Sequence, residues 1–165
     1  MSDMSDTPGE VYVREANLDD VDAVEQLLKP FVKARLLLRR TREELDRLAL
    51  SGFVAVAGPP GLTRVACDGG PTGHEIVGFA AVEMYSRKLA EVQCLAVDVR
   101  FQRRGLGREL VERCVNWARH KQVLELMAIT SSESFLRDCG FDYSLPDQKR
   151  AMFVRTHEDH EEDES

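Results

Sequence analysis

The stretch Gln102-Arg103-Arg104-Gly105-Leu106-Gly107 decides the fold of this chain. An apolar run at 92–97 precedes it and is typical of a strand, and apolar residues at helical spacing follow it up to residue 118. A strand, a glycine-rich turn and a helix in this order leave backbone N–H groups at a helix N-terminus, where phosphate binds. Gly105 and Gly107 let the backbone approach an anion without an intervening Cβ. The loop therefore predicts a phosphate-bearing ligand.

Two well-known phosphate loops do not match. A P-loop requires a glycine followed by Lys and then Ser or Thr, and the dinucleotide fingerprint requires a third glycine, which is missing after Gly107. The loop, with the preceding Leu95-Ala96-Val97-Asp98, instead resembles the GNAT family of N-acetyltransferases, in which [RQ]-x-x-G-x-[GA] holds the pyrophosphate of acetyl-CoA. The resemblance implies acetyl-CoA as co-substrate, bound by Leu95, Ala96, Val97, Gln102, Arg103, Arg104, Gly105, Leu106 and Gly107.

Composition indicates one domain. The chain has 165 residues, of which 43% are hydrophobic, and its net charge is −7. Six acidic residues lie in 157–165, so the rest of the chain is nearly neutral and does not indicate a nucleic-acid partner. We expect a disordered arm at 1–10, an acetyltransferase domain at 11–156 and a disordered acidic tail at 157–165.

The sequence lacks the features of export or membrane insertion. Residues 1–10 show no basic segment followed by an apolar one, and no apolar run is long enough to span a membrane. The four cysteines are scattered, and Cys94 and Cys114 fall within apolar patterns, which favours small core residues. We therefore expect reduced thiols, a cytoplasmic location, no membrane partner and no metal.

The apolar periodicity predicts the order β-α-α-β-β-β-α-β-α-β. Asn17 is the expected N-cap of the first helix and Pro30 its end, while the capping box at 41–44 begins the second helix, which Gly52 closes. Long strands at 75–85 and 90–97 predict an antiparallel hairpin. The pattern adds strands at 53–57, 123–129 and 152–154, a short strand at 62–66, and a helix at 132–138 ended by Gly140. This order matches the α+β GNAT fold, a mixed central sheet with helices on both faces.

Three further segments resemble the acetyltransferase domain of N-acetylglutamate synthases, which act in bacterial arginine biosynthesis. They are 37–45, 88–92 and 145–149. The resemblance implies an amino-acid acceptor, most simply glutamate, in a short form of the module without the amino-acid-kinase domain of the long synthases. It also implies that Arg39, Arg40 and Lys88 bind the acceptor, since glutamate's carboxylates need paired cationic donors. One departure is that the loop at 130–134 lacks the Arg that long synthases carry there.

Acetyl transfer to an amine needs a base, an oxyanion donor and a proton for the leaving thiolate. Glu91 and Glu83 are the candidate bases because each lies in or beside an apolar strand, although either could instead be a structural carboxylate. Backbone N–H groups at 94–97 can stabilise the oxyanion. Where many family members have a Tyr acid, this chain has Leu136, so Tyr85 or Tyr143 is left as the donor, or the thiolate leaves unassisted.

Three functions stay open at this point. The first is an amino-acid N-acetyltransferase acting on a small-molecule amine or amino acid. The second is an acetyltransferase of the same fold that acts on a protein N-terminus, a lysine or another small amine such as a polyamine. The third is a module that senses acetyl-CoA without catalysis. A homodimer is left open as the assembly.

Overall fold

The computed structural model describes residues 10–58, 74–130, 132–142 and residue 154. In chain order, the elements are β1 (Val11–Glu15), α1 (Val21–Lys33), α2 (Arg42–Ala49), β2 (Gly52–Ala57), β3 (Glu75–Met84), β4 (Leu89–Val97), α3 (Leu106–His120), β5 (Glu125–Met127) and α4 (Glu133–Asp138). The expected arm, the acidic tail, the short strand at 62–66 and nearly all of the last strand lie outside the described residues.

The five strands form one mixed sheet in the order β1-β2-β3-β4-β5. The first three pairings are antiparallel, and β4 pairs with β5 in parallel. The hairpin predicted from the sequence is β3–β4 and is confirmed. The expected α+β mixed sheet is likewise confirmed.

Helices cover both faces of this sheet, so there are two apolar cores. On one face, α1 and α2 pack their buried residues against Val54, Phe79 and Ala96. On the other face, α3 packs Leu106, Leu110 and Cys114 against alternate strand residues. Consecutive strand residues enter opposite cores because side chains alternate along a strand. The position of a functional residue in its strand therefore determines which face of the sheet its side chain lies on.

A β-bulge interrupts the pairing of β3 with β4. Ala81 pairs with Gln93 and Phe79 with Ala96, so β4 has one more residue than β3 over this interval. Cys94 has φ +56° and lies in the bulge. Gln93 and Cys94 both face α1 and α2, whereas regular alternation would have put them on opposite faces.

The parallel pairing of β4 with β5 is short. It extends from Leu89 opposite Glu125 to Glu91 opposite Met127. Beyond Glu91, β4 continues to Val97 without a paired strand on that side among the described residues. The backbone of 92–97 is therefore available to another hydrogen-bonding chain at the point where the sheet opens.

Several local expectations need correction. Pro30 does not end the first helix, which continues to Lys33; the carbonyl of Pro30 accepts the N–H of Ala34 at 3.0 Å. A proline's φ fits the helix, and the buried stripe of α1 offsets the lost hydrogen bond. Gly52 does not end α2, which ends at Ala49 with Leu50 as its C-cap; it is instead the first residue of β2, where an added Cβ would lie 2.8 Å from the carbonyl oxygen of Leu48. The strand predicted at 123–129 spans only Glu125–Met127.

Other boundaries are as expected. Thr41 and Glu44 form the predicted capping box at α2, with Thr41 N–H donating to Glu44 Oε2 at 2.7 Å. Gly140, with φ +90°, ends α4, and the Phe141 N–H donates to the carbonyl of Leu136 at 3.0 Å, as in a Schellman motif. Within the described residues, none of the helices is both long and apolar enough to cross a membrane.

Candidate active site

The glycine loop forms an open helix N-terminus. Gly105 is the N-cap of α3 with φ +81°, and the first helical hydrogen bond joins the Glu109 N–H to the Gly105 carbonyl at 3.0 Å. The N–H groups of Leu106, Gly107 and Arg108 precede that bond and have no acceptor within the helix. A Cβ on Gly105 would meet nothing within 4 Å. The loop therefore leaves space and donors for an anion.

The side chains of the loop have different roles. Gln102 turns back to the sheet, where its Nε2 donates to the carbonyl of Val97 at 2.9 Å and ties the loop to the end of β4. Arg104 stacks on the Phe101 ring, 5.2 Å from the ring centroid. Arg103 adopts φ +64° and is exposed. The sequence grouped these three residues together, and the structure separates the strand-tying Gln102 from the two surface arginines.

A cavity of about 850 Å³ connects this loop to β4. Its walls include Leu95, Ala96 and Val97 of β4, the loop itself, and one side of α4. Eight of the nine residues predicted to bind acetyl-CoA line this cavity: Leu95, Ala96, Val97, Gln102, Arg103, Gly105, Leu106 and Gly107. The ninth, Arg104, lies against the Phe101 ring. The structure thus places the predicted loop and strand residues around one elongated cleft.

The two candidate bases share the face of the sheet covered by α1 and α2. Glu83 of β3 and Glu91 of β4 are directly paired. Tyr85 Oη donates to Glu91 Oε2 at 2.6 Å and lies 3.4 Å from Glu83 Oε2. Burial, followed by the hydrogen bond to Glu91, raises the pKa of Tyr85 to about 12. All three residues predicted to be catalytic therefore belong to one hydrogen-bonded group.

A cation approaches the same group from the segment before α2. Arg40 Nη2 donates to Gln93 Oε1 at 2.6 Å, and Gln93 Nε2 donates to Glu83 Oε2 at 3.2 Å. Arg40 Nη1 also lies 3.8 Å from Glu44 Oε1. Arg40 Nε is buried and has no hydrogen-bond partner among the described residues. Because buried polar atoms normally have partners, this N–H is suited to a ligand.

The other two predicted acceptor-binding residues lie apart from this group. Lys88 is exposed at the tip of the β3–β4 hairpin, where its N–H donates to Ser86 Oγ at 3.1 Å. Arg39 is exposed, and neither residue lines the large cavity or a smaller one of about 240 Å³. Arg40 and Glu83 line that smaller cavity together with Glu44 and Arg47 of α2. Among the described contacts of these three cations, those of Arg40 reach the carboxylate group, through Gln93.

On the wall that α4 contributes to the large cavity, serine hydroxyl groups are present instead of a tyrosine phenol. Leu136 is buried, whereas Ser132, Ser134 and Phe135 line the large cavity. Tyr143, the other proposed donor, lies outside the described residues. The sequence did not single out Gln93, Ser132 or Ser134. The sequence pattern could have indicated Gln93, because it is a polar residue two positions after Glu91 in an apolar strand and so lies on the same face as Glu91.

Comparisons with known proteins agree with this geometry. The model of the Acetyltransferase (GNAT) family matches residues 24–141. An uncharacterized N-acetyltransferase of Chlorobaculum tepidum is 26% identical over 129 residues, which are 78% of this chain and 74% of that protein. An amino-acid acetyltransferase of Pseudomonas syringae is 31% identical over 137 residues, which are 82% of this chain but only 28% of that protein.

Solved structures show the same fold. Rv2747 from Mycobacterium tuberculosis, in complex with CoA and NLQ, is similar with a TM-score of 0.64 and 26% identity, covering 78% of this chain and 70% of its own. N-acetylglutamate synthase from Neisseria gonorrhoeae, complexed with coenzyme A and N-acetyl-glutamate, has a TM-score of 0.63 at 22% identity, covering 79% of this chain and 28% of its own. With a family model that matches most of its length, this chain belongs to the GNAT family of acetyltransferases.

Proposed function

We propose that this chain transfers an acetyl group from acetyl-CoA to the α-amine of an amino acid, with glutamate as the first candidate. The observation that carries the acceptor class is Arg40. Its buried Nε lacks a partner among the described residues, and it lies in the same hydrogen-bonded group as Glu83 and Tyr85. An amino acid brings a carboxylate for such a cation and an amine for such a base.

The large cavity fits acetyl-CoA. The free N–H groups at the start of α3 suit its pyrophosphate. The side of β4 beyond Glu91, which pairs with no strand among the described residues, suits the amides of the pantetheine arm. An arm that follows β4 from the loop would bring the thioester to the bulge at Cys94. Leu95, Ala96 and Val97 would form one wall of its path.

The proposed chemistry follows from these positions. The amine nitrogen attacks the thioester carbonyl carbon, the N–C bond forms and the C–S bond breaks. Glu83, directly or through water, takes the proton that the amine loses. A backbone N–H near the bulge stabilises the oxyanion. The thiolate leaves with a proton from solvent or from a hydroxyl on α4, since Tyr85 already donates to Glu91.

The charges on the acceptor side argue for an amino acid over a polyamine. A polyamine would favour a cavity lined by acids alone, whereas Arg40 and Arg47 line the small cavity together with Glu44 and Glu83. Mixed charge suits a zwitterion. The sequence at 130–134 contains no cation. Lys88 and Arg39, which are exposed and line neither cavity, are the remaining cations that we propose for the second carboxylate of glutamate.

Turnover of acetyl-CoA with a panel of free amino acids, peptides and polyamines tests this proposal. We expect acetylation of an acidic amino acid, and glutamate above glutamine or lysine. The matched control is N-methylglutamate, which keeps both carboxylates and alters only the amine. Acetylation of a peptide or polyamine with no amino-acid turnover at millimolar concentration would overturn the acceptor class but not the acetyltransferase assignment.

A further inference from the structure

A buried glutamine lies between the cation and the carboxylates of the site. Gln93 is 7% exposed and belongs to β4, two residues after Glu91. Its Oε1 accepts from Arg40 at 2.6 Å, and its Nε2 donates to Glu83 at 3.2 Å. Its Nε2 also lies 3.4 Å from Tyr85 Oη. One amide thus contacts both halves of the site.

The chemistry of the neighbours fixes the orientation of this amide. A guanidinium can only donate hydrogen bonds, and an ionised carboxylate can only accept them. The amide oxygen must therefore face Arg40, and the amide nitrogen must face Glu83. A carboxamide offers an acceptor to Arg40 and a donor to Glu83 on two separate atoms, which suits a position between these two neighbours.

The separation has electrostatic consequences. A direct ion pair between Arg40 and Glu83 would neutralise the cation needed by an acceptor carboxylate and stabilise the charge of the base. The Gln93 amide between these two groups has a dipole but no net charge. Tyr85 donates its hydrogen bond to Glu91 at 2.6 Å, so the Gln93 N–H is the principal donor to Glu83, and it contacts only Oε2. Among the described residues, Glu83 Oε1 receives no hydrogen bond and is free for a proton.

We propose that Gln93 is a positioning residue that keeps Arg40 and Glu83 from pairing, so that Arg40 binds the acceptor carboxylate while Glu83 accepts the proton of the amine. This inference rests on the proposed function. The charged and titratable groups around Glu83 come from every neighbouring element: Glu91 and Cys94 from β4, Tyr85 after β3, Arg40 before α2, and Glu44 and Arg47 from α2.

Two nearly isosteric variants test this role because they act on the base in opposite directions. Gln93→Met removes both hydrogen bonds and leaves Arg40 to approach Glu83. We expect the acidic limb of the kcat/KM profile to move to lower pH by about one unit, because a nearby cation stabilises a carboxylate. Gln93→Glu adds a negative charge beside Glu83, and we expect the limb to move to higher pH by a similar amount.

Both variants should weaken acceptor binding. In each variant Arg40 pairs with a second carboxylate in addition to Glu44, so the KM of the acceptor should rise about tenfold, as expected for loss of one charge-assisted hydrogen bond. The KM of acetyl-CoA should stay the same. Calorimetry with the acceptor alone gives the same comparison without turnover. Gln26→Met, on the exposed side of α1, is the matched control and should change nothing.

The outcomes separate this inference from the proposed function. If no free amino acid is acetylated, the proposed function fails. If Glu83→Gln and Glu91→Gln both keep the acidic limb and full kcat with an amino acid, the assigned base is wrong and this inference fails, while the proposed acceptor class stands. If Glu83→Gln removes the limb but Gln93→Met and Gln93→Glu shift it in the same direction, or not at all, Gln93 does not separate the charges. Circular dichroism confirms folding of each variant, and Gln93→Asn, which keeps the amide, should fall between wild type and Gln93→Met.

Discussion

Glu83 and Glu91 face each other across β3 and β4 but have different surroundings. Glu91 is buried and receives the Tyr85 phenol at 2.6 Å, whereas Glu83 is half-buried and lines the small cavity. Two carboxylates in one pair repel each other unless donors or a proton intervene. From this unequal hydrogen bonding we infer different roles, with Glu83 as the base that receives the acceptor's proton and Glu91 as the partner of Tyr85.

Glu83→Gln should therefore reduce kcat more than Glu91→Gln. Removal of a general base costs about 10²- to 10⁴-fold in rate, and Gln keeps the size of the side chain. We expect Glu91→Gln to lower kcat by less than about tenfold, because this change affects a neighbour of the base and leaves the base itself in place. Steady-state kinetics over a range of pH measures both. A larger effect from Glu91→Gln would reverse the two roles.

Arg40→Gln should raise the KM of the acceptor more than Lys88→Met does. Arg40 contacts Gln93 at 2.6 Å within the site, while Lys88 lies at the exposed hairpin tip. Loss of binding shared by ground and transition states raises KM with little change in kcat. Kinetics with saturating acetyl-CoA make the comparison. If only Lys88→Met raises KM, the acceptor lies nearer the hairpin tip than we infer.

Gly105→Val should weaken CoA binding while the protein stays folded. The branched side chain would occupy the open space above the loop, where the phosphate is expected. The positive φ at position 105 also costs a residue with a Cβ about 1–2 kcal/mol of stability. Gly140→Val is the matched control, since Gly140 also has positive φ and open space but lines neither cavity.

Calorimetry with CoA and thermal melting separate the two effects in these variants. Gly140→Val should lose a similar amount of stability and keep its affinity for CoA. Gly105→Asn should retain more stability than Gly105→Val, because Asn tolerates the left-handed region. Equal CoA affinity in wild type and Gly105→Val would contradict the assignment of the loop.

Tyr85 should titrate with a pKa of about 12, above the usual value of 10.0. A folded-state pKa that is raised contributes stability that is fully present below pH 10 and is lost as the pH rises toward 12. Ultraviolet absorbance of wild type and Tyr85→Phe isolates this phenol from the other tyrosines. The difference in unfolding free energy between the two proteins should shrink over the same pH interval. A normal pKa would mean that the contact with Glu91 does not persist in solution.

Cys114 and Cys94 should resist thiol reagents in the folded protein. Burial raises the pKa of Cys114 to about 12 and also raises that of Cys94, and the thiolate is the reactive form. Cys139 is only half-buried and should react first of the three. Mass spectrometry of labelled Cys67→Ser protein, with and without denaturant, identifies the sites. Rapid labelling of Cys114 without denaturant would contradict its place in the core.

Local patterns made the cofactor side predictable from sequence. The turn at Gly105, the capping box at Thr41 and the Gly140 stop depend on neighbouring residues, and all three lie where the pattern placed them. The hairpin in which Glu83 pairs with Glu91 was also predicted, because a short connection joins its two strands; the pairing itself comes from the structure. Features within one element or one hairpin are thus accessible to sequence reasoning.

Long-range contacts were not predictable in the same way. Arg40 and Gln93 are 53 positions apart, and only the packing of α2 on the sheet brings them together. The extension of α1 past Pro30 likewise depends on tertiary burial that outweighs a local penalty. Lys88 and Arg39 were chosen on resemblance and charge, which do not specify where a long side chain ends.

The extra residue in β4 shifts the alternation of side chains between the two faces of the sheet partway along the strand. Up to Gln93 the odd-numbered side chains face α1 and α2, and from Cys94 onward the even-numbered ones do. Deleting Cys94 would restore plain alternation and leave Leu95, Ala96 and Val97 on their present faces, but it would remove the bend that the bulge gives β4, even though composition and hydropathy would hardly change. Any alignment or redesign of this segment must therefore preserve its length as strictly as its residues.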